Sequence, residues 1–435
     1  MSKSTERGHE RYKKVSRHLH KAGKSMRVLS RLNWPGEIRD SFLAGGAKRL
    51  PKVTYEAFDP TPSNESVAAA RALLKPGSTI DDWFEREAAA IEATARMLAS
   101  TGTAEFHRAS AELYGVPTRT LPGDDATPLA LAEQVQQDIA DLTAARLLAP
   151  AVRDQTAEQV AAVLEPAVRE HFGDAAPDIS IVDELSANAV ATASAIKLRR
   201  TAKFTRKDAA QLLNHEAYIH VATGLNGKAQ PDLPSLALGH PGTTRTQEGL
   251  AVFSEFVSGT LELDRLKRLA ERVLAVQMAC DGANFIDVYR WFLERTPTPE
   301  QAFEAARRIF RGAPLEGGAP FTKDCGYLSG LLSVLALVRA AFAADRSDVL
   351  GLLFVGKLDL RALPALAHLR DSGLCRPARF LPPWALDPGW LLTSLALSTF
   401  MASVDLKNTL DLVRTALADC PRVQIRTREE VLAQA

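Results

Sequence analysis

One histidine pair limits what this chain can fold into more than any other feature. His215 and His220 stand five residues apart in the run Asn214-His215-Glu216-Ala217-Tyr218-Ile219-His220. A regular α-helix turns by about 100° per residue, so side chains four apart lie about 40° apart and side chains five apart about 140° apart. Undistorted, the helix aims the two rings away from each other. They converge only if one extra residue is absorbed, by a π-bulge or by unwinding near Gly224. Ala209, Leu212 and Leu213 mark the apolar face, and Glu216 and His220 fall in the middle of it. A carboxylate buried there without a partner is costly. Two readings stand: the polar pair faces a cavity where its charge is used, or a core histidine accompanies a salt-bridged glutamate.

A second motif bears on the choice. Gln247-Glu248-Gly249-Leu250-Ala251 begins another helix, with Glu248 28 residues past His220. Two histidines from one helix and a carboxylate from the next make a three-ligand metal site with its fourth position left for water. The histidine run is then the H-E-x-x-H pattern of zinc peptidases with one residue added. Glu255, seven residues after Glu248, projects from the same face and suits a residue that orients a ligand. Gly249 and Ala251 are small enough to let the two helices approach closely. The competing reading of Glu248 is a helix-start glutamate favoured by the macrodipole.

The rest of the chain sets the frame. Its 435 residues are 46% hydrophobic with a net charge of +1, which excludes wholesale disorder and any global charge that would drive it onto nucleic acid. The longest apolar run, Tyr327 to Val338, is about half the roughly 20 residues a membrane span needs. No apolar signal core precedes Trp34-Pro35, and Cys280, Cys325, Cys375 and Cys420 are too far apart for a C-x-x-C motif. The expectation is reduced, buried thiols in a cytoplasmic protein. Residues 1–50 form a basic segment, an arm for acidic partners or a solvated helix face. Pro35, Pro51, Pro60 and Pro62 punctuate a stretch of extended or turn character, and residues 51–176 read as a helical half, with a capping-box start at Ser78 to Asp81 and helices at 103–114, 127–148 and 155–171. At Asp178 the texture changes. Ile179, Ile181 and Val182 read as one strand and the run Ala195 to Phe204 as another, followed by a long loop from Leu225 to Thr243. A buried-looking helix is expected from Asp324 to Ala343. The fold class is mainly α (α+β), with a small sheet beside the site and the catalytic portion in 177–435. Gly224 to Lys228 lacks the spacing of a phosphate loop.

Together, His215-Glu216-x-x-x-His220 and Gln247-Glu248-Gly249-Leu250-Ala251 resemble the bacterial QEGLA-motif family, whose members are labelled flavohemoglobin expression-modulating proteins. They are also similar to the eukaryotic microtubule-associated tyrosine carboxypeptidases, which trim the C-terminal tyrosine of α-tubulin. The resemblance is most specific from about Asp178 to Gly330 and takes in Asn226-Gly227 and Phe321-Thr322-Lys323-Asp324 with Tyr327. It implies a helical zinc-peptidase fold in which His215, His220 and Glu248 hold Zn2+ and Glu216 is the catalytic base. The expected reaction is removal of C-terminal residues from proteins or peptides, and the alternative is a non-enzymatic regulator with a structural or vestigial metal site. Such a peptidase needs a donor for the developing oxyanion, for which Tyr327 leads over His240 and Tyr289. It also needs a cation for the substrate's free carboxylate. Lys323 and Arg245 are the first candidates, Arg290 and Arg311 further ones, and Asn226 joins them as a substrate contact. An ion pair with Asp324 or another acid is the competing reading of Lys323.

Overall fold

The computed structural model describes residues 3–121, 124–144, 152–183, 185 and 188–403. Cys420 and the end of the helix expected at 127–148 lie outside them. The chain divides into two compact units, Met1–Leu386 and Asp387–Ala435, the second described through its Pro388–Ser403 helix. The first unit is mainly helical with one small sheet, as the sequence pattern predicts.

The basic segment forms the Lys3–Lys24 helix, and it is docked. Val15, Leu19 and Ala22 are fully or almost fully buried, while Arg11 pairs with the buried carboxylate of Asp81. That pairing alters the expected capping box. Ser78 does cap the Thr79–Ala99 helix by accepting the Asp81 amide, but the Asp81 carboxylate turns away to Arg11 and to the Lys75 amide at 2.9 Å. Extended chain follows as expected across 51–60, but Gly36–Ala44 is a helix that periodicity did not reveal. Its one buried residue, Phe42, packs edge-on against Phe285 and Tyr289, so tertiary contact rather than pattern supports it.

The sheet has three strands, β1 Asp178–Val182, β2 Ala189–Ala191 and β3 Ala195–Arg199. β3 is central, parallel to β1 with Ile179 opposite Ile196, and antiparallel to β2 with Ala191 opposite Ile196. Along β3, Ile196 and Leu198 are fully buried while Lys197 is exposed, the period-two alternation of a half-covered strand. Each buried side chain contributes about 1.5–3 kcal/mol. They pack with Phe204, Leu212, Ala217 and Val221, which sets the sheet against the histidine helix. β2 was missed because three residues carry too little alternation to read.

The loop expected from Leu225 to Thr243 is shorter than predicted. The helix Ala222–Lys228 runs through Gly224, and the next begins at Pro241 with His240 as its N-cap. Gly224 lets the helix approach the sheet closely, because a Cβ there would stand 2.8 Å from the Ala193 Cβ. The helix Pro241–Val257 then crosses the helix Gly326–Ala343 at Gly249 and Gly330, where a Cβ on Gly330 would sit 2.8 Å from the Gly249 Cα. The stretch Lys323–Ala343 is long and apolar enough to cross a membrane, with a mean hydropathy of 1.7, and half of it is buried inside the protein. The Gly–Gly crossing explains that apolarity as core packing.

Candidate metal centre

The deformation the spacing demands is present. Between the α-helical stretches Asp208–Leu212 and Ala222–Lys228, residues Leu213–Val221 form a π-helix. Its hydrogen bonds close at i→i+5, so side chains five apart stack as those four apart do in an α-helix. The rings of His215 and His220 accordingly lie 5.0 Å apart, inclined by 78°. Glu248 reaches them from the Pro241–Val257 helix, its Oε2 standing 3.6 Å from His215 Nε2 and 3.7 Å from His220 Nε2. One ligand atom from each residue falls within 4.8 Å of the others. Tetrahedral bonds of about 2.1 Å separate ligand atoms by roughly 3.4 Å. A divalent ion therefore needs only a small contraction of this triad.

The surroundings prepare the ligands. His215 Nδ1 lies 2.6 Å from Glu255 Oε1, which directs Nε2 towards Glu248 and His220. Glu255 is completely buried and also accepts from Gln211 Nε2 at 2.9 Å and from Arg265 at 3.3 Å. Burial works to raise its pKa, but the Arg265 charge and the His215 hydrogen bond hold it at about 2. His215 shows the converse: burial opposes its charge, yet Glu248 and Glu255 on either side push its pKa up to about 10. The two flanking carboxylates thus favour positive charge at this point. Glu248 is likewise opposed by burial and held far below the usual carboxylate range by Lys323 and the two imidazoles.

Lys323 donates to Glu248 Oε1 at 3.0 Å, leaving Oε2 to face the histidines. It pairs with an acid, though with Glu248 rather than Asp324, and so orients a ligand. Asp324 is taken by Arg308 through two 2.8 Å bonds. Tyr327 covers Lys323, whose Nζ lies 5.1 Å from the ring centre. Arg245, one turn before Glu248, is partly exposed and stands 3.9 Å from Asp359. Asn226 is not at the substrate face. Its amide donates to the carbonyls of Phe354 and Phe380 at 2.8 and 2.7 Å and accepts from the amides of Arg379 and Phe380, so every hydrogen-bonding position is spent on backbone. His240 caps its helix, and Tyr289 belongs to the aromatic cluster around Phe42. Glu216 makes no hydrogen bond or ion pair with a described residue. Sequence reasoning missed Arg265, Gln211 and Thr223, the last of which ties the Ala222–Lys228 helix to Gln247 through a 2.7 Å hydrogen bond. Nothing near them in sequence marks them out.

A mainly helical fold thus gathers two histidines and a glutamate around one point that could hold a metal ion, with a further glutamate alongside, and defines a helical protein with a candidate metal site. The family model described as microtubule-associated tyrosine carboxypeptidase matches residues 40–403, and the chain belongs to that family. The membership puts it among carboxypeptidase-like hydrolases. No curated protein matches the chain.

Proposed function

We propose that the chain is a zinc-dependent carboxypeptidase acting on the C-termini of peptides or proteins, with its catalytic portion within residues 177–435. The convergence of His215, His220 and Glu248 across a π-helix carries this reading. The donors suit zinc: two imidazoles and a carboxylate, with a buried carboxylate fixing one ring from behind. Zinc bound there would supply an acidified water and a Lewis acid for a peptide carbonyl. The protein's own residues do the remainder. Glu216 takes a proton and returns it to the departing amine. Glu255 and Lys323 hold His215 and Glu248 in register, and Tyr327 remains the proposed oxyanion donor beside Lys323. The cysteines Cys280, Cys325 and Cys375 are unpaired, and burial raises the thiol pKa of Cys280 and Cys375 to about 11, which accords with work in a reducing cytoplasm.

Elemental analysis of chelator-free protein tests the reading. One equivalent of zinc that His215→Ala removes is expected; below about half an equivalent, unchanged by that substitution, the proposal fails. Glu216→Gln should keep the metal and lose C-terminal trimming of a peptide library read by mass spectrometry. A regulator with a vestigial site would show no trimming in either form.

A further inference from the structure

Most cations around the metal centre are already engaged. Lys323 serves Glu248, Arg265 serves Glu255, and Arg308 and Arg272 face Asp324. Lys357 differs. It lies on a strap locked against the entrance to the Glu248 helix. Its amide donates to Leu236 O at 2.7 Å, and Gly356 packs so close that a Cβ there would stand 2.7 Å from the Leu236 Cβ. Leu358 is completely buried, and the Leu360 amide donates to Thr246 Oγ1 at 3.0 Å, two residues before Glu248. The lysine stem rests on Gly239, just before the helix N-cap, where a Cβ would meet Lys357 Cδ at 3.1 Å. The ammonium makes no hydrogen bond or ion pair with a described residue.

We propose that Lys357 receives the free carboxylate of the substrate's last residue and so determines specificity for chain ends. The inference rests on the carboxypeptidase reading and deepens it. Two further facts agree. Burial lowers the pKa of Lys357, and the charges acting against that are those of Glu248 and Glu216. A partly desolvated ammonium without a counter-ion is stabilised by an arriving carboxylate. Arg245 is the rival cation, but Asp359 already faces it.

The test compares binding and turnover in the zinc-loaded full chain, with Lys357→Met and Lys357→Arg. The probe is a pool of N-acetylated hexapeptides, as free acids and as C-terminal amides. Binding is read in a Glu216→Gln background, where nothing is consumed. The background chain should prefer free acids, and Lys357→Met should lose about 10- to 100-fold on the acids and little on the amides, the worth of a charged hydrogen bond. In the active enzyme the loss should fall on KM more than kcat, and Lys357→Arg should restore part of it. Melting temperature and zinc content show whether Lys357→Met folds; should it not, Lys357→Arg and Lys357→Gln carry the comparison. An acid-to-amide preference unchanged by these substitutions, or absent from the start, overturns the proposal. So does a fall in kcat with the preference retained, which would put the ammonium at the oxyanion. The carboxypeptidase reading fails separately: acid preference lost in Lys357→Met, with no turnover by the zinc-loaded chain, would keep the carboxylate site and remove the peptidase.

Discussion

Individual side chains at this centre act through partners the motif does not contain. Glu255 is the clearest case, because it holds His215 from behind while Arg265 and Gln211 hold Glu255. Glu255→Gln should keep a similar shape, lose the charge that fixes the imidazole, and weaken zinc binding about 10- to 100-fold in a chelator-competition titration. His215 also makes the metal-free protein sensitive to pH. Its folded pKa, about 10, lies above the ordinary histidine value. Its contribution to metal-free stability is therefore complete below about pH 6.5 and lost as pH rises towards 10. Thermal unfolding of the metal-free protein should show a falling melting temperature across that window, and His215→Asn should flatten it. Zinc must displace the same proton, so its apparent affinity should rise with pH over that range. The convergence of His215, His220 and Glu248 was legible in the sequence from their chemistry and spacing. Lys323 was legible as a cation near the site, but not its bond to Glu248. Asn226 was misplaced because proximity to a motif says nothing about which way a carboxamide faces.

Secondary elements decide whether the ligands meet. The π-helix Leu213–Val221 follows from a five-residue spacing that a straight α-helix cannot reconcile with one ion. It needs a neighbour at close range, and the crossing of Gly249 with Gly330 holds the Glu248 helix in place. Gly249→Ala should push the two helices apart, cost about 1–3 kcal/mol in denaturant unfolding through overpacking, and reduce zinc binding by withdrawing Glu248. The expected result distinguishes packing from chemistry, because Glu248→Gln should reduce zinc binding with a smaller loss of stability. At this scale the sequence was informative where a local rule operates. The helices at 103–114 and 155–171, the strands β1 and β3 and the buried helix from Asp324 all read directly. It was silent on Gly36–Ala44 and β2, short elements supported mainly by what they touch.

Across the whole molecule, buried ion pairs join segments far apart in the chain. Arg11 and Asp81 fasten the N-terminal helix, and Arg308 and Asp324 fasten the start of the helix that supplies Lys323. Burial works to raise the Asp324 pKa, but Arg308 and Arg272 hold it well below the ordinary carboxylate value. Its contribution is thus present above about pH 4 and lost as pH falls further. Asp324→Asn leaves Arg308 buried without its counter-charge and should cost about 3–5 kcal/mol, read by denaturant unfolding at pH 7. The difference from the unaltered protein should narrow on acidification. What the amino-acid sequence determined alone was the set of side chains and its local geometry: two imidazoles and a carboxylate, an adjacent glutamate, and a spacing that forces a helix to widen. These depend on residues a few positions apart, where helical periodicity is the only physics needed. Tertiary structure alone decided which charges neutralise one another, down to Lys323 on Glu248, Arg265 on Glu255, and Lys357 with no ion pair among the described residues. Those pairings join residues 10 and 75 positions apart, and only close packing of the folded chain brings them within reach.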